Sequence, residues 1–225
     1  MTKDEALTIF PWAIDDDSMG AVANKVTKLQ PKVLKQFADK VYNQLYVDPY
    51  ACTIVSTAGA LTSYTKKEVG YELMINALNK MKKDGAFREG RGAYLKDGVK
   101  YMVDEFNDYY GTNITPHLIE LNEENIFKAF DTFHSPVVTG MMVTSKYFED
   151  EQDNAIIDKG EAGRIGHAIY ICKINTTDPN KFQMKYIESY FGAKSKYGLA
   201  KDIIYVDFRI HNGVFFNTGF YFTWK

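Results

Sequence analysis

The sequence predicts an α+β protein, a mainly helical half followed by a mainly antiparallel β half with a cleft between them. Two observations carry this. Apolar residues recur at spacings of three and four through the first 133 positions, the signature of one buried helical face. After Ser135-Pro136 the pattern changes to apolar runs and strict alternation, which suits strands. Helices first and strands after is the α+β order. The chain is 225 residues with 45% hydrophobic, 25% charged and 15% aromatic content. That apolar share excludes intrinsic disorder, and the length supports one domain over 1–225, with a helical lobe at about 25–133 and a β lobe at about 134–225.

The elements follow in order. Pro31 opens a predicted helix through Leu34, Phe37, Val41 and Leu45. After Val47-Asp48-Pro49-Tyr50, a second helix runs from Ala51 to Tyr64. A third covers Val69 to Met81 and stops at Lys82-Lys83-Asp84-Gly85, basic charge followed by a glycine cap. Gly98–Tyr110 and Glu123–Phe133 read as shorter helices, the latter capped by Asn122. Strands are expected at Val137–Val143, Ile165–Ile174, Phe182–Tyr190, Ile203–Ile210 and Val214–Trp224. The Asn212-Gly213 step predicts a hairpin between the last two.

Charge and leader signals narrow the function classes. A net charge of −2 gives no electrostatic reason to expect nucleic acid or an anionic membrane. No basic segment followed by an apolar run opens the chain, and no window approaches ~18 consecutive apolar residues. Two cysteines, Cys52 and Cys172, make no disulfide framework, so a cytoplasmic protein with free thiols is expected. His117, His134 and His211 share no ligand spacing with one another or with Cys172, so no metal site is expected. Asp15-Asp16-Asp17 and the glycines at Gly90-Arg91-Gly92 and Gly160 to Gly163 read as loops.

Two residues stand out chemically. Cys52 falls at the predicted start of a helix. Unsatisfied N–H groups and the helix dipole favour an anion there, which makes a thiol a better nucleophile. His167 enters an apolar strand in Gly166-His167-Ala168-Ile169-Tyr170-Ile171, and a buried imidazole requires partners for both ring nitrogens. Cys172 faces away from His167 by strand alternation and reads as core.

This order, a helix-tip cysteine in an α half and Gly-His-Ala opening a strand in a β half, resembles the papain-like cysteine peptidases. Val41-Tyr42-Asn43-Gln44 looks like the segment that supplies the oxyanion-hole glutamine, although Gln44 lies farther from Cys52 than is usual. Ala51-Cys52-Thr53 is closer to divergent phage, bacterial and viral members than to the family's Cys-Gly-Ser-Cys-Trp. Ser135-Pro136-Val137 resembles the Gly-Pro-Val strand. In the third signature, Tyr186-Ile187-Glu188-Ser189-Tyr190-Phe191-Gly192, aligning Phe191-Gly192 with Trp-Gly places Ser189 where the family has asparagine; a one-residue gap places Glu188 there instead. Tyr197-Gly198 and Ile204-Tyr205-Val206 follow at reasonable distances.

The resemblance implies a two-lobe papain-like fold and a thiol hydrolase cleaving peptide or isopeptide bonds in a peptide or protein substrate. Cys52 would be the nucleophile, His167 the acid and base, Gln44 the oxyanion donor and Ser189 or Glu188 the group that orients the ring. No cofactor is implied. A host cytoplasm or a phage particle is the implied setting. The missing asparagine and the aromatic C-terminus keep a second reading open: a papain-fold structural or binding protein with weakened catalysis. In that reading Phe215-Phe216, Phe220-Tyr221-Phe222 and Trp224 pack into an assembly partner.

Overall fold

The computed structural model describes residues 42–143, 165–189, 203–208 and 215–225. The acidic run at 15–17, most of the helix expected from Pro31, the glycines at 160–163, the motifs at 190–192 and 197–198 and the Asn212-Gly213 turn lie outside them.

The described chain begins with a 3-10 turn, Gln44–Tyr46, capped by the Asn43 side chain, which accepts from the Leu45 N–H. Helix α1 follows at Cys52–Thr65, close to the predicted range. Its sequence holds no charged residue and it is buried almost all round, which marks a helix running through the core. Serine and threonine are poor helix formers, but two of the threonine hydroxyls are satisfied within the helix itself. Thr57 donates to the Thr53 carbonyl at 2.7 Å and Thr65 to that of Leu61 at 2.8 Å.

Helix α2, Tyr71–Lys83, buries Leu73, Met74, Ala77, Leu78 and Met81 along one stripe. It ends as the Lys-Lys-Asp-Gly signal predicts. Gly85 adopts φ 73°, its N–H bonds the Lys82 carbonyl and the Ala86 N–H bonds that of Met81, which is a Schellman cap. A two-residue pair, β1 (Phe87–Arg88) and β2 (Gly92–Ala93), leads to α3 at Leu95–Tyr110. Helix α4, Glu123–Asp131, has the expected cap: Asn122 accepts from the Asn125 N–H at 2.9 Å.

Six strands form one antiparallel sheet: β3 (Ile114–Glu120), β4 (Val137–Val143), β5 (Ile165–Asn175), β6 (Gln183–Ile187), β7 (Ile203–Asp207) and β8 (Phe215–Trp224). Their spatial order is β3-β8-β4-β5-β6-β7. The fold is thus a mixture of helices and antiparallel sheet, as expected.

Two expectations are corrected. Strands β7 and β8 are not a hairpin: β7 pairs with β6, while β8 lies between β3 and β4. The β8 backbone is paired along both edges, and Phe215, Phe216, Phe220 and Phe222 are all enclosed. That burial places these four rings in the core of the described chain and leaves Trp224 as the exposed ring of that group. The second correction is strand β3, which was not expected. It precedes the expected lobe boundary at 133–134 yet pairs with β8 along its whole length, so the sheet draws on both sides of that boundary.

Helix α1 crosses the sheet at β5. Ser56 donates to the Ala168 carbonyl at 2.8 Å and Ser63 hydrogen-bonds Tyr170 at 3.2 Å. Helix α3 presses on the first turn of α1 through Gly98, where an added Cβ would stand 2.2 Å from Thr53 Oγ1 and 3.2 Å from the Thr53 carbonyl carbon. Alanine in mid-helix would gain about 1 kcal/mol of propensity over glycine. Overpacking a closed core costs about 1–3 kcal/mol, and so near a contact sets the upper end. Gly98→Ala should therefore lower stability by about 1–2 kcal/mol net, read as a lower urea midpoint with unchanged m-value.

Candidate active site

Each site residue is held by a different element. Asp48-Pro49-Tyr50 delivers the chain into α1 through a braced loop. Asp48 accepts from the Tyr50 N–H at 2.9 Å, its carbonyl accepts from the Ala51 N–H at 3.0 Å, and its other carboxylate oxygen pairs with Lys82 of α2 at 3.2 Å. Asp48 was not singled out from the sequence; its position two residues before Tyr50 in an Asp-Pro step is the signal. Ala51 caps α1 without a side-chain acceptor, so the helix start is bare. The first N–H to find a helical carbonyl is that of Val55, on Ala51 at 3.0 Å. The N–H groups before it point out of the helix end, and Cys52 sits among them, partly exposed.

Strand β5 carries His167 into the same place. The imidazole is buried, 2% exposed, and is hydrogen-bonded to Cys52 on one side and to Glu188 on the other. The carboxylate contact is made by Nε2. Glu188 immediately follows β6, is fully buried, and arrives beside His167 because β6 pairs with β5, with Tyr170 opposite Ile187.

Burial works against a charged ring here. It is outweighed by the Glu188 charge, the Cys52 hydrogen bond, the Glu188 hydrogen bond and the Cys52 charge, so the His167 pKa rises from 6.5 to about 10. A folded pKa above the unfolded one makes protonation stabilising. That contribution is complete below pH 6.5 and disappears as pH climbs to about 10. The urea midpoint should decline across this window, and decline less in Glu188→Gln.

The sequence left Ser189 and Glu188 open for the ring partner, and the geometry separates them. Glu188 touches His167. The Ser189 hydroxyl instead donates to Gln44 Oε1 at 2.8 Å, and its carbonyl accepts from the Gln44 N–H at 3.1 Å. Ser189 as the ring's holder is therefore corrected to Glu188. The two residues leave the end of β6 at Ile187, and each takes a different partner: Glu188 meets His167 and Ser189 meets Gln44. Gln44 is 2% exposed and its Nε2 donates to the Pro49 carbonyl at 2.6 Å.

Cys172 is enclosed, its thiol 3.4 Å from the Lys185 carbonyl, apart from this cluster. Among the described residues no three His, Cys, Asp or Glu side chains are grouped to hold a metal ion, and no helix is long and apolar enough to cross a membrane.

The arrangement offers a partly exposed sulfur at a helix start, a buried imidazole between it and a carboxylate, and a buried primary amide on the neighbouring turn. Such a set can transfer an acyl group. No protein-family model matches the chain, and neither does any curated protein. Among solved structures, one described as the crystal structure of UfSP from C. elegans is 12% identical, with a TM-score of 0.44. The alignment covers 89% of this chain and 36% of that one, so the present chain spans little more than a third of its neighbour's length.

Proposed function

We propose that the chain is a papain-like thiol hydrolase that cleaves peptide or isopeptide bonds through an acyl-enzyme. The observation that supports this best is the buried His167 ring, engaged by Cys52 and Glu188 together. A buried imidazole satisfied by one backbone carbonyl would serve packing alone. One placed between a thiol and a carboxylate matches the requirements of nucleophile, base and orienting group.

Cys52 Sγ bonds to the substrate carbonyl carbon, and the carbonyl π pair moves onto oxygen. The Cys52 N–H and Gln44 Nε2–H donate to that oxyanion; one such donor is worth about 3 kcal/mol of barrier. His167, protonated at neutral pH, passes its proton to the departing amine as the C–N bond breaks. The ring, now neutral, takes a proton from water, whose oxygen attacks the thioester. Collapse breaks the C–S bond, releases the acid and expels the Cys52 thiolate beside the ring, which keeps the proton it took from water. Glu188 holds the ring in one orientation and balances its charge in both half-reactions.

Reaction with iodoacetamide followed by peptide mapping tests this reading. Cys52 should be modified faster than free cysteine at pH 7, and modification should abolish cleavage of a denatured protein such as casein. If Cys52 reacts no faster than free cysteine and Cys52→Ala leaves cleavage unchanged, catalysis by Cys52 is refuted; an unreactive Cys52 with no cleavage at all makes the chain a scaffold or binding protein.

A further inference from the structure

The geometry points to Ser189 as a positioning residue for the oxyanion donor, acting through Gln44 and not through His167. A primary amide has two faces of opposite character, and only its nitrogen can serve an oxyanion. What sets the face of Gln44 is on either side of it. The Pro49 carbonyl can only accept, and it lies 2.6 Å from the amide nitrogen. The Ser189 hydroxyl donates to the amide oxygen at 2.8 Å, and the same two residues are linked again by the Gln44 N–H on the Ser189 carbonyl. Nε2 has two hydrogens. Pro49 takes one, and with Oε1 pinned by Ser189 the other keeps a fixed direction. Gln44 and Ser189 are 2% and 4% exposed, so water does not substitute readily for either partner. One dipeptide thus serves both halves of the chemistry: Glu188 fixes the imidazole and Ser189 fixes the amide.

This inference rests on the thiol-hydrolase reading, and two probes keep the two apart. Acylation by 4-nitrophenyl acetate passes through an oxyanion: Cys52 Sγ bonds to the acetyl carbon, the carbonyl pair moves to oxygen, and collapse expels 4-nitrophenolate. Alkylation by iodoacetamide displaces iodide from a saturated carbon and forms no oxyanion. Ser189→Ala should slow acylation about tenfold, part of the full effect of losing a donor, and leave the Cys52 alkylation rate within twofold. Ser189→Thr, which keeps the hydroxyl, should restore acylation. In a Gln44→Ala background, Ser189→Ala should add nothing. An unchanged acylation rate in Ser189→Ala overturns the inference, and so does an equal fall in both rates, which would make Ser189 merely structural. A Cys52 that neither probe modifies in the unaltered chain overturns the hydrolase reading and this one with it.

Discussion

His167→Ala should reduce peptide-bond cleavage by about 10⁴-fold or more, the loss expected when one member of a cooperating set is removed. The ring engages both Cys52 and Glu188, so on the proposed mechanism its removal deletes the acid that releases the amine and the base that activates water. The expected signature is a fall in kcat with little change in KM, because the imidazole acts on the reacting atoms rather than on the bound substrate. Iodoacetamide should also modify Cys52 more slowly. Initial rates at several substrate concentrations check the first claim and mass-resolved alkylation kinetics the second. A kcat within tenfold of the unaltered chain would remove His167 from the reaction. The variant also opens a buried void, so its folded fraction must be measured alongside by circular dichroism.

Glu188→Gln should lower kcat by about 10²–10⁴-fold while preserving shape. The sign of its pH effect follows from what raises the imidazole. With the carboxylate neutralised, burial, which disfavours the charged ring, meets less opposition, so the His167 pKa falls from about 10. The alkaline limb of the acylation rate, set by loss of the imidazolium, should move to lower pH in the variant. The direction discriminates. A carboxylate of purely structural value would lower the rate without moving the limb. Measuring acylation from pH 6 to 10.5 in both proteins decides it. Ser189→Ala should leave that limb in place, since its hydroxyl is on Gln44.

The helices α1 to α4 were legible because their apolar stripes and stop signals are local: Asn122, Gly85 and the Leu73-to-Met81 stripe each act within one or two turns. Cys52 and His167 were legible because residue type and position coincide, a thiol at a helix start and an imidazole in an apolar strand. The choice between Glu188 and Ser189 was not, because both are buried just beyond β6 and differ only in partners, His167 and Gln44, that lie 21 and 145 positions away in sequence. Strand β3 was hidden for another reason. It lies at the sheet edge with Leu118 exposed, and it contains Pro116, which edges tolerate and which weakens a strand signal. Pairs as short as β1 and β2 have no period to detect. The unusual distance from Gln44 to Cys52 is also explained by structure: the added residues form the 3-10 turn and the Asp48 brace, and the Pro49 carbonyl they bring back is the one that receives the Gln44 amide.

The inner position of β8 has a kinetic side. Its neighbours are reached only across long stretches of chain, with His117 and Thr223 bonded across 106 positions and Ser135 and Phe222 across 87. Helices can form and dissolve many times before such partners meet, since the entropy of closing large loops is lost before any contact offsets it. The late event in refolding is therefore insertion of one ribbon between two others. Until it happens, the flanking ribbons present open edges able to bind a second molecule of the same chain, so recovery from denaturant should be concentration-limited well before it is stability-limited.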